Sequence, residues 1–200
     1  MSKIPTTVYA EMTPNPSNMK FVANRLLVEG GLTLEFNTLA ESKGKSPLAE
    51  ELFQFPFVSG VFIASNFVTI AKTDAISWDL VNMQLREFVR TFLESGKECV
   101  TNADQIVAEK KAEAVKAFEE LTPSEYDDKI KDLLEEYIRP AVEGDGGAID
   151  FKSFNEGVVT VTLRGSCSGC PSSSATLKGG IETLLKQMIP AVTEVVAEEL

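Results

Sequence analysis

Between Gly96 and Pro123 the apolar periodicity of the chain lapses, and no other feature limits its fold as much. The stretch holds Lys97, Glu98, Glu109, Lys110, Lys111, Glu113, Lys116, Glu119 and Glu120 among several alanines. Such a segment makes a solvated helix or a flexible linker. Apolar patterning is full on both sides of it. The 200 residues therefore read as two small domains, 1–95 and 124–200, joined by a charged linker over 96–123. The fold class predicted is α+β: two small α/β domains with a helical or flexible connection.

In the first domain Thr7 to Glu11 reads as a short strand, and the two prolines of Thr13-Pro14-Asn15-Pro16-Ser17-Asn18 make a turn. Leu26 to Phe36 is interrupted by Gly30-Gly31, giving two strand pieces or one bulged strand. Pro47 opens a helix toward Phe53. Val61 to Ile63 and Phe67 to Ile70 form a hairpin across Ser65-Asn66. From Trp78, the spacing of Val81, Leu85, Phe88 and Phe92 predicts an amphipathic helix ending near Gly96. Phe53, Phe55, Phe57 and Phe62 are crowded, and core packing accounts for them.

The second domain is predicted to run helix, strand, strand, helix, strand. Tyr126, Ile130, Leu133, Leu134, Tyr137 and Ile138 mark a helix stopping before Pro140. Gly144-Asp145-Gly146-Gly147 is a turn. Ala148 to Phe154 and Val158 to Arg164 are strands joined at Asn155-Glu156-Gly157. In the second strand Val159, Val161 and Leu163 share one face. A helix carrying Leu177, Ile181, Leu184, Leu185 and Met188 follows and ends at Pro190, and Val192 to Ala197 is the last strand. Gly179-Gly180 lies inside that helix, and close backbone packing on the sheet or on a partner chain is the expected reason.

Cys167-Ser168-Gly169-Cys170-Pro171 sits where the second strand gives way to the helix. Two intervening residues let both sulfurs turn to one point. Pro171 suits the first helical position, so Cys170 lies near the N-cap, where the helix end favours thiolate. The chain has three cysteines and no histidine. It therefore lacks Ser-His-Asp and Cys-His nucleophile systems and every His-containing metal site. Three uses of the pair remain open on spacing alone: dithiol–disulfide exchange, ligation of a metal or cluster, and plain packing at a tight turn. Two cysteines do not complete a four-thiolate site. A cluster would draw its other ligands from a second molecule, and a symmetric homodimer supplies them. Cys99 has no cysteine neighbour and reads as structural. Arg164 and Lys178 are the nearest bases in sequence.

The formal charge is −11, from 30 acids and 19 bases, which gives no footprint for nucleic acid or an anionic membrane. Met1 to Thr7 shows neither an apolar signal core nor an Arg-rich amphipathic stretch, so a cytoplasmic protein is expected.

Gly144-Asp145-Gly146-Gly147, Leu163-Arg164-Gly165 and the run from Cys167 through Pro171, Thr176-Leu177 and Gly180-Ile181 resemble the C-terminal domain of NifU and Nfu proteins. Thr13-Pro14-Asn15-Pro16, Leu52-Phe53, Val58-Ser59-Gly60-Val61 and Trp78 resemble the Nfu N-terminal domain. The resemblance implies a carrier that is not an enzyme. It implies a [4Fe–4S] cluster held between two subunits by Cys167 and Cys170 and passed to apo iron–sulfur client proteins. It also implies an upstream cluster-assembly scaffold as donor and a homodimer when loaded. The first domain would contact clients or assembly factors. A dithiol oxidoreductase and a dimer-bridging structural zinc site are the alternatives.

Overall fold

The computed structural model describes residues 5–102, 106, 124–167 and 171–199, without side chains at 171–176 and 199. It is mixed α+β. The chain divides into two compact units, one through Val107 and one from Ala108.

The first unit is a five-stranded antiparallel sheet in the order β1-β2-β5-β4-β3. The strands are β1 (Val8–Met12), β2 (Asn18–Ala23), β3 (Thr33–Phe36), β4 (Val58–Ala64) and β5 (Phe67–Lys72). Register fixes the inner face. Met19 pairs with Ile70 and Phe21 with Val68, while β4 sets Val61 and Ile63 against the same two residues of β5. This face is covered by α2 (Pro47–Leu52) and α3 (Trp78–Glu94), which add Leu48, Leu52, Val81, Leu85 and Val89 to one core. A short α1 (Leu39–Ser42) precedes them. Helix α2 starts where Ser46 caps it, its Oγ accepting from the Ala49 N–H at 3.1 Å. Phe53, Phe55 and Phe57 pack against the core, and Phe62 lies on the opposite sheet face with Phe67.

Two local expectations change here. The predicted turn ends at Asn18 and no strand is predicted after it, yet Asn18–Ala23 is an inner strand with every residue buried. Its polar residues Asn18 and Lys20 hide the pattern. Lys20 pairs with Glu11 at 3.2 Å and lies over the Phe67 ring. Within Leu26 to Phe36 only Thr33–Phe36 pairs, because Gly30 and Gly31 both take positive φ and turn the chain.

In the second unit helix α4 (Asp127–Leu133) widens into a π turn, Leu134–Ile138, and continues as α5 (Arg139–Gly144). The expected stop before Pro140 does not occur. The Arg139 N–H donates to the Leu134 carbonyl, five residues back. In a regular α-helix the Pro140 ring would press on the carbonyl of Glu136, and the wider turn relieves that contact. Strands β6 (Gly147–Asn155) and β7 (Val158–Gly165) form a hairpin, and α6 (Pro171–Met188) carries the chain to β8 (Glu194–Glu199). The order is β6-β7-β8, with β8 parallel to β7. Val159, Val161, Leu163 and Val195 meet Ile130, Leu133, Ile181 and Leu185 in one core. Gly179 and Gly180 are exposed, and a Cβ on either would meet nothing within 4 Å. Close packing on the sheet is therefore not their reason.

Candidate metal-binding site

The site is built at the open end of the β6–β7 hairpin. Gly147 pairs with Gly165, the two glycines facing each other across the ladder. Gly165 has φ +66°, a left-handed step that turns the chain off the sheet. Ser166 follows, its N–H donating to the Gly146 carbonyl at 3.2 Å. Cys167 comes next and is only 3% exposed, joining the core with Leu163 and Ile181. Helix α6 begins four residues later at Pro171. Ser168, Gly169 and Cys170 lie outside the described residues, so Cys167 is the member of the pair with a described position.

Gly147 shapes the space beside that sulfur. A Cβ there would come within 2.6 Å of the Arg164 carbonyl and 2.9 Å of Cys167 Sγ. The sulfur thus lies against bare backbone, in a cradle that any side chain at 147 would fill. Of Gly144-Asp145-Gly146-Gly147, only Gly146 takes positive φ, at +81°. The turn reading accounts for Gly146. The need for glycine at 147 is the approach of Cys167, which sequence reasoning did not find. The facing of Gly147 and Gly165 at a hairpin end was the available signal.

The two bases named from the sequence are already engaged. Arg164 reaches Asp150 at 3.4 Å, and Lys178 reaches Glu194 at 3.7 Å. Cys99 is buried in the first unit. Burial pushes its thiol up to about 11, opposed only weakly by the charge of Arg25. It stays a neutral thiol near pH 7 and is unsuited to ligation. Among the described residues no three or more Cys, Asp or Glu side chains gather as a metal-binding group. Among them, too, no helix is long and apolar enough to cross a membrane.

The chemistry open to this arrangement is that of a thiol at a strand-to-helix junction, as in the sequence reading. The strand before β7 is its antiparallel neighbour β6, so no β-α crossover precedes the pair. That order does not match a thioredoxin-like site.

Comparison with known proteins bears on both units. Residues 130–196 match the NifU-like domain, and residues 8–96 match the N-terminal domain described as scaffold protein Nfu/NifU. The mitochondrial NFU1 iron-sulfur cluster scaffold homolog of Drosophila willistoni is 37% identical over 98% of this chain and 64% of its own length. The mitochondrial NifU-like protein 4 of Arabidopsis thaliana is 36% identical over 96% of this chain and 65% of its own length. The chain thus spans a little under two thirds of these relatives. A solution structure of a NifU-like protein from Saccharomyces cerevisiae aligns with TM-score 0.45 and 22% identity, over 51% of this chain and 91% of that one. Both relatives are named as mitochondrial, which overturns the cytoplasmic setting expected from Met1 to Thr7.

Proposed function

The chain belongs to the Nfu family of NifU-like proteins, and on that premise we propose that it is an iron–sulfur cluster carrier that works without enzymatic chemistry. Its cargo is a [4Fe–4S] cluster held by Cys167 and Cys170 of two copies, and its setting is that of its mitochondrial relatives. The observation that carries the reading is the buried Cys167, its sulfur on the bare backbone of Gly147 at the strand-to-helix junction. A thiolate so placed keeps a fixed direction, which ligation needs and a mobile surface thiol lacks.

Delivery is ligand exchange. A client thiolate forms a new iron–sulfur bond as the bond to Cys167 breaks, and the released Cys167 thiolate takes up a proton. No electrons change hands and no side-chain base is required. Cys170 follows by the same step. Upstream, a scaffold protein supplies the cluster by the reverse exchange. The first unit, in which no metal-ligand spacing was found, contacts clients or assembly factors.

Anaerobic reconstitution with iron and sulfide tests this. The expected product is a brown dimer with about four iron atoms per two chains. Cys167→Ala and Cys170→Ala are each expected to stay colourless. A colourless dimer holding zinc without acid-labile sulfide would replace the cluster by a structural metal. A colourless monomer that reduces disulfides would make the pair a redox dithiol.

A further inference from the structure

Among the described residues, nothing bonds the hydroxyl of Ser166. The residue is 2% exposed, its Oγ is closed off from solvent, and no hydrogen-bond partner for it lies among the described residues. Its N–H is used in holding the turn to Gly146. Leaving a buried hydroxyl unsatisfied carries its full desolvation penalty, and native proteins leave few. Alanine has nearly the same shape without that cost. Serine at 166 therefore calls for a partner that the described residues do not supply.

The chemistry at hand is the sulfur of the next residue. Ser166 and Cys167 are buried together in one turn, and Cys167 Sγ is walled on one side by Gly147, which offers no side chain. A thiolate ligating iron is a strong acceptor, and hydrogen bonds to charged acceptors are roughly twice as strong as neutral ones. Hydrogen bonds to ligand and cluster sulfurs also set reduction potential.

We infer that Ser166 is a positioning residue: in the loaded protein its hydroxyl donates to the Cys167 thiolate or to the cluster sulfide against it, fixing the sulfur and slowing loss of the cluster. The inference rests on the cluster-carrier reading above. It gives the orphan hydroxyl a partner only in the loaded state, so apo and loaded proteins should answer oppositely to its removal.

The test uses the full chain as wild type, Ser166→Ala and Ser166→Thr, each reconstituted anaerobically. Apo Ser166→Ala is expected to melt at or slightly above the wild-type temperature. Its cluster should pass to a chelator about 10-fold faster, in line with the loss of other outer-shell partners. Its midpoint potential should move negative, and its iron–thiolate Raman bands should shift. Ser166→Thr, which keeps the hydroxyl, should release at close to the wild-type rate. A loaded Ser166→Ala with wild-type release rate, potential and Raman bands overturns the inference, most directly if the apo protein melts lower. That result would describe a hydroxyl bonded to a buried water for folding alone. Failure of the wild type itself to take up iron would sink the carrier reading and this inference with it.

Discussion

A single methyl group separates the backbone at 147 from a collision. In Gly147→Ala the new carbon would meet a carbonyl oxygen of β7 and the Cys167 sulfur, the first rigid backbone and the second the end of a short, buried side chain. Either the hairpin end opens or the thiol swings away. The variant should lose about 1–3 kcal/mol in urea unfolding and carry less iron per chain after reconstitution. Gly144→Ala is the control, since a Cβ there would meet nothing within 4 Å. Its stability should stay within about 0.5 kcal/mol of wild type. Wild-type iron content in Gly147→Ala would refute the cradle. The other cysteine gives a separate check. With its thiol pushed up to about 11 by burial, Cys99 should resist iodoacetamide at pH 8 in the folded chain and react in urea, as mass spectrometry would show. At this scale Cys167 was legible as a candidate because a Cys pair at this spacing is rare. Gly147 was half legible, as a turn glycine without its neighbour. Ser166 carries no sequence signal, since a serine before a cysteine is common and only burial makes it unusual.

Among the elements, those with strict periodicity were readable in advance. Strand β7 buries Val159, Val161 and Leu163 on one face as the alternation predicts, and the turn before it uses Glu156 at φ +47° and Gly157 at φ +85°, a left-handed pair matched to strand twist. Helix α3 shows the same legibility at helical spacing. What failed was whatever tertiary context decided. Strand β2 is buried on both faces, so alternation does not mark it, and the π turn before Pro140 leaves no trace in composition. The join of α6 to β8 was not visible either. There the Glu182 carboxylate accepts from Lys186 Nζ at 2.5 Å and from the Val195 N–H at 3.2 Å. The Lys186 bond, then the Val195 N–H, hold its carboxyl below the ordinary range. A carboxyl depressed on folding contributes stability above its unfolded pKa, about 4.3, and the contribution fades as pH falls through the lower folded value. Urea midpoints of wild type should thus exceed those of Glu182→Gln at pH 7 and 5, and the gap should close toward pH 3. A gap independent of pH would show that the ionised carboxylate is not what ties helix to strand. Earlier in α6, Gly179→Ala should stabilise the apo chain by about 1 kcal/mol, because helix propensity improves and open space receives the methyl.

For the molecule as a whole the division into two α+β units was legible from the charged stretch alone. The proposed second copy rests on a shortage of sulfur ligands in one chain. Charge sharpens that shortage into a measurement. From Ser124 to the end the chain has 14 acids and 7 bases, a balance of −7, and the whole chain carries −11. In the proposed loaded dimer two such copies would repel as they approach, and the iron–sulfur bonds would have to outweigh that like-charge term. Screening lengths fall from about 30 Å at 0.01 M salt to about 8 Å at 0.15 M, which removes most of that repulsion. The loaded dimer should therefore hold its cluster longer against a chelator at 0.15 M salt than at 0.01 M. This is the reverse of what an interface built on opposite charges would do. Because cluster and dimer are linked by mass action, dilution should speed release, and stripping the iron should return single chains in sedimentation. A release rate that is indifferent to both salt and dilution would place all of the iron on one subunit, with no second copy needed to complete its ligands.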